Sequence, residues 1–474
     1  MFKLLLSLIY VFSRHIHSLA SSIETEFMWG CASAAYQYEG ATFEDGRGPC
    51  TWDKFAEEPG KIFDNENANI ADDTYHHFAE DLKILKSMGL KNYRMSISWT
   101  RLYPTGRAPL NNLGILHYNK VFDVMKDMGI EPVVTLFHWD SPQYLEDLYL
   151  GWLNAQIKPD FVMYARTCFE NFGDRVKHWA TFNEPWTFCV NGYDIGTFAP
   201  GRCSDRSQCK FGNSSTEAYI CAHNILNTHA AVVDLYRKEF QTDQKGVIGI
   251  VLNHDWSEPL TKRQSDIDAA QRANEFKISW FADPLMYGDY PEIMKTNVGK
   301  RLPKFTKEEK RLVQGSWDVF FLNHYTSMYY SSAPLDPSMG WEGDQGTSST
   351  PYNLDGQPIG PRGDSTWLYI VPWGIQKVLE FNHNRYKDID FTQIKPSNAV
   401  NPSSFQFIIT ENGVSVLNED TMSLSEILND TVRIDYYQNY LHHVYMAIVE
   451  GGVDVRGYFA WSLLDNFEWN MAFR

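Results

Sequence analysis

The chain has few basic residues for its acidic content. Its 474 residues include 42 lysines and arginines against 59 aspartates and glutamates, which gives a formal net charge of −17. A protein of this charge would repel nucleic acids and anionic membranes at low salt. The composition therefore disfavours both kinds of partner, whereas a neutral ligand remains compatible with it.

Long apolar runs are also scarce, and the run from Leu4 to Phe12 is too short to cross a bilayer as a helix. A single lysine precedes it, and polar residues with the segment LASS follow, as in a secretory signal peptide. We expect residues 1–20 to be this signal and residues 21–474 to form one domain. The alternative is a non-native N-terminus, since Arg14 and two histidines follow the run directly.

Cysteine is sparse, and the odd total of seven leaves at least one free thiol. Cys203 and Cys209, in CSDRSQC, are close enough in the chain to form a disulfide, which would fit a secreted protein. Asn213 in NSS and Asn429 in NDT are sequons for N-glycosylation. Because sequons often occur by chance, these two add little to the prediction of secretion.

Signals for cofactors and metals are missing as well. The chain contains no glycine-rich phosphate loop, and its one H-x-H triplet, at 15–17, lies in the leader. The histidine pairs at 76–77 and 442–443 fall on predicted helices, where a surface position is the simpler interpretation. We therefore expect neither a cofactor nor a metal.

The chain is rich in apolar and aromatic residues, and these residues recur in a regular pattern. Hydrophobic residues make up 43% and aromatic residues 15% of the chain, enough for a large core. Short apolar runs, separated by stretches of helical period, predict eight buried strands. These runs are 27–35, 91–98, 130–139, 176–184, 246–253, 318–325, 405–412 and 455–462.

Eight such strands predict an α/β fold, a closed (β/α)₈ TIM barrel. Parallel strands need crossover connections, and strands that are apolar throughout need cover on both faces. The sequence shows no internal repeat and no linker-like change of composition, so we expect a single domain. The Gly-, Pro- and Ser-rich stretch 334–364 is predicted to be a loop over the site.

Polar residues end these apolar runs, and in barrels of this type catalytic groups lie at the carboxyl ends of the strands. Glu184 and Glu411 are two such residues. A nearby cation would keep one carboxyl ionised, while desolvation and like charge would raise the pKa of the other. Cleavage of a glycosidic bond needs one acid and one carboxylate in this way. Arg94 lies within the second run, and further polar or aromatic residues at strand ends are His138, Trp139, Asn183, Asn323, Tyr325, Asn412 and Trp461.

Several motifs together resemble those of the family 1 glycoside hydrolases, the β-glucosidase family. FMWGCASAAYQYEGA at 27–41 is similar to the family's N-terminal signature, TFNEPW at 181–186 to its acid/base motif, and FIITENGVS at 407–415 to its nucleophile signature. The resemblance reaches AWSLLDNFEW at 460–469. It implies a (β/α)₈ barrel and a retaining mechanism without a cofactor.

The resemblance also implies a role for each matching residue. Glu411 matches the nucleophile that forms a covalent glycosyl-enzyme, and Glu184 matches the acid/base. Arg94 and Tyr325 match the groups that hold the nucleophile. Trp367 matches the aromatic residue that faces the aglycone in plant members, although simple packing of a loop is the alternative for it. The residues that match the sugar-binding set are Gln37, His138, Asn183, Trp461, Glu468 and Trp469.

Through the same resemblance, two positions narrow the class of glycoside that the protein is expected to accept. Glu468 would lie beside the 4- and 6-hydroxyls of the sugar and should repel a 6-phosphate. Glu184 stands where the thioglucosidase branch has glutamine, which favours an O-glycoside. We therefore predict a retaining β-glycosidase for small-molecule or oligosaccharide O-linked β-glycosides that carry no phosphate. A non-catalytic binding protein, or a transglycosylase with the same residues, are the alternatives.

The end of the chain departs from the family. Relatives continue past NFEWNMAFR through a loop and a helix that covers the eighth strand, so we expect the chain to be incomplete there. Burial of the apolar face of that strand would contribute several kcal/mol, at roughly 25 cal/mol per Å².

Overall fold

The computed structural model describes residues 27–395, 400 and 405–473, and the predicted signal segment 1–20 lies outside them. Eight of its strands are all parallel and close a barrel. Three others form a small separate sheet. The strands are β1 (Met28–Ala32), β2 (Asn92–Ser96), β3 (Glu131–Phe137), β4 (His178–Asn183), β5 (Val247–Asn253), β6 (Trp256–Pro259), β7 (Phe320–Asn323), β8 (Ser327–Ser332), β9 (Thr347–Thr350), β10 (Gln406–Glu411) and β11 (Asp454–Trp461).

The barrel order is β1-β11-β10-β7-β5-β4-β3-β2, and it confirms the predicted (β/α)₈ architecture. Each of the eight predicted runs overlaps one barrel strand. Small and branched residues fill the interior of the barrel, among them Ala32, Val133, Val251 and Ile408, with Phe459 fully buried beside them. The interior is therefore a packed core, and functional groups are confined to the ends of the strands.

Helices that connect the strands flank the barrel on its outside. The helix Thr74–Ser87 buries Tyr75, Phe78, Leu82 and Leu85, the amphipathic face that the sequence predicts. The α-helices are Ala35–Tyr38, Thr51–Ala56, Thr74–Ser87, Trp99–Leu102, Asn112–Met128, Gln143–Tyr149, Ile157–Phe172, Pro185–Val190, Glu217–Glu239, Gln241–Gln244, Gln264–Asn274, Trp280–Tyr287, Glu292–Val298, Lys307–Val313, Gly340–Asp344, Pro372–Tyr386, Phe391–Ile394, Leu424–Leu428 and Thr431–Val449. The chain also has π-helical turns at Asn191–Ile195 and Glu275–Ser279, and 3₁₀ turns at Phe63–Asn65, Gly151–Leu153, Gly299–Arg301, Pro337–Met339, Glu419–Thr421 and Trp469–Met471.

The stretch 334–364 has more regular structure than its composition predicts. It contains the helix Gly340–Asp344 and strand β9, which pairs antiparallel with β8. Asp344 accepts hydrogen bonds from Tyr219 and Arg301, so tertiary contacts hold this segment where glycine and serine have little propensity of their own. Among the described residues, no helix is long and apolar enough to cross a membrane.

A buried ion pair joins the strands to the helices at the amino end of β7. Arg237 Nη2 lies 2.6 Å from Asp318 Oδ1, and the Asp318 side chain is fully buried. The other carboxylate oxygen accepts hydrogen bonds from Gln241 and from the backbone N–H of Ile248 in β5. Arg237 also donates to the backbone carbonyls of Gly315 and Trp317. The two charges are thus paired with each other inside the protein.

Removal of Asp318 should destabilise the fold strongly. Asp318→Ala leaves the Arg237 guanidinium buried without its carboxylate, which typically costs about 3–5 kcal/mol. The matched control is Glu239→Ala, which breaks the exposed ion pair with Arg166 and should change stability little. Urea unfolding followed by tryptophan fluorescence measures both. Equal midpoints for the two variants would contradict the assigned role of the buried pair.

Candidate active site

Glu411, the last residue of β10, lies at the carboxyl end of the barrel and is buried. Arg94 Nη1 lies 2.5 Å from Glu411 Oε1, and the Tyr325 hydroxyl donates to Glu411 Oε2 at 2.6 Å. A guanidinium beside a carboxylate favours its ionised form, as does a hydrogen bond to its second oxygen. Glu411 is therefore held as an anion with both oxygens oriented.

Arg94 extends this arrangement to neighbouring strands. It projects from β2 and is fully buried. Its Nη2 donates to Asn183 Oδ1 at 2.7 Å, and the Asn183 amide nitrogen lies 3.1 Å from His138 Nε2. Burial and the charge of Arg94 hold the pKa of His138 well below its ordinary value. His138 is thus a neutral imidazole that can exchange hydrogen bonds with a hydroxyl.

Glu184 follows β4 directly and adopts a left-handed backbone conformation, with φ 42° and ψ 65°. Pro185 disfavours the right-handed helical conformation for the residue before it, and it begins the helix Pro185–Val190. A positive φ is costly for glutamate and occurs where function requires a particular direction of the side chain. The turn aims Glu184 into the mouth of the barrel, where it lines the same cavity as Glu411.

The surroundings of Glu184 differ from those of Glu411. Asn323 Nδ2 donates to Glu184 Oε1 and the Thr187 hydroxyl to Oε2, each at 2.6 Å, and both donors are neutral. Burial, and after it the negative charge of Glu411, raises the pKa of Glu184 to about 8. At neutral pH this carboxyl is therefore mostly protonated and can give a proton to a leaving group.

The structure brings Glu468 and Gln37 together on the other side of the cavity. Gln37 Nε2 lies 3.4 Å from Glu468 Oε2. Trp469 stacks with His138 at a centroid distance of 5.9 Å, and Trp461 stacks with the same ring at 6.0 Å. Burial and the charge of Glu411 raise the pKa of Glu468 to about 7. Flat apolar rings beside groups that donate and accept hydrogen bonds are suited to a sugar.

Trp367 lies at the outer part of the cavity and is 46% exposed. Its ring meets that of Tyr325 edge to face, with centroids 5.9 Å apart. The cavity has a volume of about 1010 Å³, at the upper end of the range of small-molecule sites. The predicted residues that line it are Gln37, His138, Glu184, Tyr325, Trp367, Glu411, Trp461, Glu468 and Trp469.

Some residues of the site were absent from the predicted set of site residues. Asn323 ends β7, so the strand-end rule marked it, but its bond to Glu184 depends on the neighbouring strands. Thr187 is three residues after Glu184 on a helix, and no motif marked it as a donor to the carboxyl. Asp255 and Lys277, which also line the cavity, belong to segments between strands and gave no signal in the sequence.

Cys203 and Cys209 form the predicted disulfide, and a second one joins Cys189 to Cys221. The remaining three cysteines are buried and free. The sequon residues Asn213 and Asn429 are both exposed. Within the described ranges, no cluster of three or more histidine, cysteine or acidic side chains could hold a metal ion.

The chain matches a known family and named plant proteins. The family model for glycosyl hydrolase family 1 matches residues 19–474. β-Glucosidase 34 of Oryza sativa subsp. japonica is 49% identical over 454 residues, which cover 94% of this chain and 86% of that protein. β-Glucosidase 40 of Arabidopsis thaliana is 47% identical over 450 residues, which cover 94% and 85%.

Solved structures agree with these matches. The crystal structure of a rice β-glucosidase has a TM-score of 0.90 and 46% identity, and the match covers 96% of this chain and 92% of that one. A β-glucosidase from the fungus Humicola insolens, solved in complex with glucose, has a TM-score of 0.89 and 43% identity, with coverages of 94% and 91%. The chain therefore belongs to glycosyl hydrolase family 1, the family of retaining β-glycosidases that its motifs resemble.

Proposed function

We propose that this retaining O-glycoside hydrolase uses Glu411 as its nucleophile and Glu184 as its acid/base. The observation that carries the assignment is the contrast between the two carboxyls at one rim of the barrel. Glu411 faces a guanidinium at 2.5 Å, whereas Glu184 meets neutral donors and has a pKa raised to about 8 by burial and by Glu411. One carboxyl is thus an anion and the other an acid.

In the first step, Glu411 attacks the anomeric carbon while Glu184 protonates the glycosidic oxygen, so that the leaving group departs as an alcohol. The covalent glycosyl-enzyme neutralises the charge of Glu411. With that charge gone, one cause of the raised pKa of Glu184 is removed. The deprotonated Glu184 then takes a proton from water as the water attacks the anomeric carbon. The bond between that carbon and Glu411 breaks, which frees the Glu411 carboxylate and releases the sugar with retained configuration.

We further propose that Gln37, His138, Asn183 and Glu468 bind the hydroxyls of the sugar, with Trp461 and Trp469 against its ring. Five of these side chains line the cavity, and the sixth, Asn183, contacts His138 through a hydrogen bond. Trp367 lies further out and is proposed to face the aglycone. The curated relatives are named β-glucosidases, which favours glucose as the sugar and gives no support to a binding protein or a transglycosylase.

The substrate assignment predicts turnover of p-nitrophenyl β-glucoside and poor turnover of its 6-phosphate. The negative charges of Glu468 and Glu411 would repel a phosphate dianion. This repulsion should lower kcat/KM for the 6-phosphate by at least an order of magnitude relative to the neutral glucoside. Initial rates with the two substrates at pH 7.5 measure this ratio. A better kcat/KM for the phosphorylated substrate would refute the assignment to neutral sugars.

Replacement of the proposed nucleophile should abolish hydrolysis. Glu411→Ala removes the carboxylate that forms the covalent intermediate, and we expect a loss of several orders of magnitude in kcat. Added azide should occupy the vacated space and restore part of the turnover, with a product of inverted anomeric configuration. NMR of the product identifies the anomer. Near-normal activity of the variant without azide would rule out Glu411 as the nucleophile.

Replacement of the proposed acid should depend on the leaving group. Glu184→Gln cannot donate a proton, so kcat/KM for an alkyl β-glucoside should fall by about 10²–10⁴-fold, with a much smaller fall for 2,4-dinitrophenyl β-glucoside. In the unaltered enzyme kcat/KM should decrease as the pH rises through about 8 and Glu184 loses its proton. That decrease should be absent from the variant. Equal losses for both substrates would remove Glu184 from the role of acid.

We also propose that the protein matures in the secretory pathway. Two disulfides in the fold support an oxidising compartment, and Asn213 and Asn429 are exposed and so accessible to glycosylation there. Digestion with a peptide N-glycosidase tests this on protein isolated from its own cells. An unchanged mass together with reduced cysteines would contradict it.

A further inference from the structure

An ion pair lies in the wall of the cavity, and the mechanism described above does not use it. Lys277 Nζ is 2.5 Å from Asp255 Oδ2, with side-chain exposures of 11% and 23%. The same ammonium lies 4.1 Å from the centroid of the Trp186 ring. All three side chains line the cavity that contains Glu184 and Glu411. Since lysine seldom lies inside a protein, a buried ammonium at this place needs an explanation.

The backbone around Lys277 is unusual as well. The residue lies in the π-helical turn Glu275–Ser279, between the helices Gln264–Asn274 and Trp280–Tyr287. Such turns interrupt a helix with one extra residue and occur frequently at functional sites. Phe276 and Ile278, on either side of Lys277, are fully buried. The turn therefore presents the lysine inward, towards Asp255.

Asp255 in turn contacts the segment that supports the nucleophile. Its Oδ1 lies 3.4 Å from the backbone nitrogen of Tyr325 and 3.3 Å from that of Thr326, both of which donate to it. The Tyr325 hydroxyl donates to Glu411. The position of the Asp255 carboxylate thus helps to fix the position of a phenol that orients Glu411.

Asp255 is also near the proposed acid. Asn253, two residues earlier, donates to the Thr187 hydroxyl at 3.0 Å, and that hydroxyl donates to Glu184. The negative charge of Asp255 adds to burial and to Glu411 among the causes that raise the pKa of Glu184. Burial alone would raise the pKa of Asp255 itself, but Lys277 holds it below its ordinary value. The backbone donors at Tyr325 and Thr326 also favour the charged form of Asp255, and Lys277 balances that charge.

We propose that Lys277 is a positioning residue of the glycosidase reaction, which acts through Asp255 on both catalytic glutamates. It holds the carboxylate that fixes the Tyr325 segment, and it neutralises the carboxylate that faces Glu184. This inference rests on the proposed role of Glu184 as the acid.

Other ionisable groups lie close to Asp255 or to the two catalytic glutamates. Arg94 pairs with Glu411 and does not contact Asp255. His324, next to Tyr325, faces Asp255, and burial lowers its pKa so that it is neutral at the working pH. Burial holds the pKa of His254, which precedes Asp255, at about 3. The nearby phenols, Tyr325 and Tyr330, stay protonated because burial raises their pKa. Lys277 is thus the cation that pairs with Asp255.

The pH profile of kcat/KM for a poor leaving group, such as an alkyl β-glucoside, tests the proposal. Lys277→Met leaves the charge of Asp255 unbalanced, so the decrease at high pH should move upwards by on the order of half a pH unit. Asp255→Asn keeps an acceptor oxygen but leaves the charge of the Lys277 ammonium unbalanced, so kcat/KM should decrease at a lower pH than in the unaltered enzyme. The pH profile of the double variant should return towards that of the unaltered enzyme. Lys277→Arg keeps the positive charge, so its profile should also resemble that of the unaltered enzyme.

The control is Lys238→Met, which removes the exposed ion pair with Asp234 and should leave the profile unchanged. Circular dichroism checks that each variant is folded. If Lys277→Met does not fold, Asp255→Asn and Lys277→Arg still decide the question. A profile of Asp255→Asn that stays in place, or moves in the same direction as that of Lys277→Met, overturns the proposal.

The two levels of inference can fail separately. If Glu184→Gln still shows the decrease at high pH, Glu184 is not the group that titrates, and the proposed function of this residue fails. If the decrease is lost in Glu184→Gln but does not move in the variants of Lys277 and Asp255, only the role of Lys277 fails.

Discussion

The ion pair between Arg94 and Glu411 is the interaction on which the mouth of the barrel depends. A guanidinium that is completely buried needs its carboxylate, because an unpaired charge in the interior costs several kcal/mol. Arg94 also donates to Asn183, which contacts His138, so that one cation orders side chains from several strands. The carboxyl end of the barrel is polar and ordered because these groups form hydrogen bonds with one another.

The same constraint makes the two glutamates different. Glu411 lies on the strand that faces Arg94 and has the cation and the Tyr325 hydroxyl as partners. Glu184 instead accepts hydrogen bonds from a neutral amide and a neutral hydroxyl, those of Asn323 and Thr187. Two residues of one chemical type thus become an anion and an acid, because burial penalises charge where no cation compensates it. Retaining hydrolysis needs this asymmetry, which is a property of neighbours and not of the glutamates themselves.

Sequence periodicity predicted the barrel well. Each of the eight apolar runs overlaps a strand, since runs that are buried on both faces leave a clear pattern. The stretch 334–364 was predicted less well, because β9 forms only through pairing with β8. Asn323 shows the same limit within the site. Its place at the end of a strand was evident, but its bond to Glu184 requires that two strands separated by more than a hundred residues are neighbours of a third.

By itself, the sequence determined the class of fold, the family and the positions of the two glutamates, because strand periodicity and contiguous motifs are local properties. The family resemblance already implied that Arg94 and Tyr325 hold Glu411, whereas the tertiary structure alone decided how the donors around Glu184 are arranged. It also decided that Lys277 points inward at Asp255, although both residues belong to segments without a recognisable motif. Electrostatic environment arises from groups far apart in the chain, and only the closed barrel brings those groups within a few ångströms of one another.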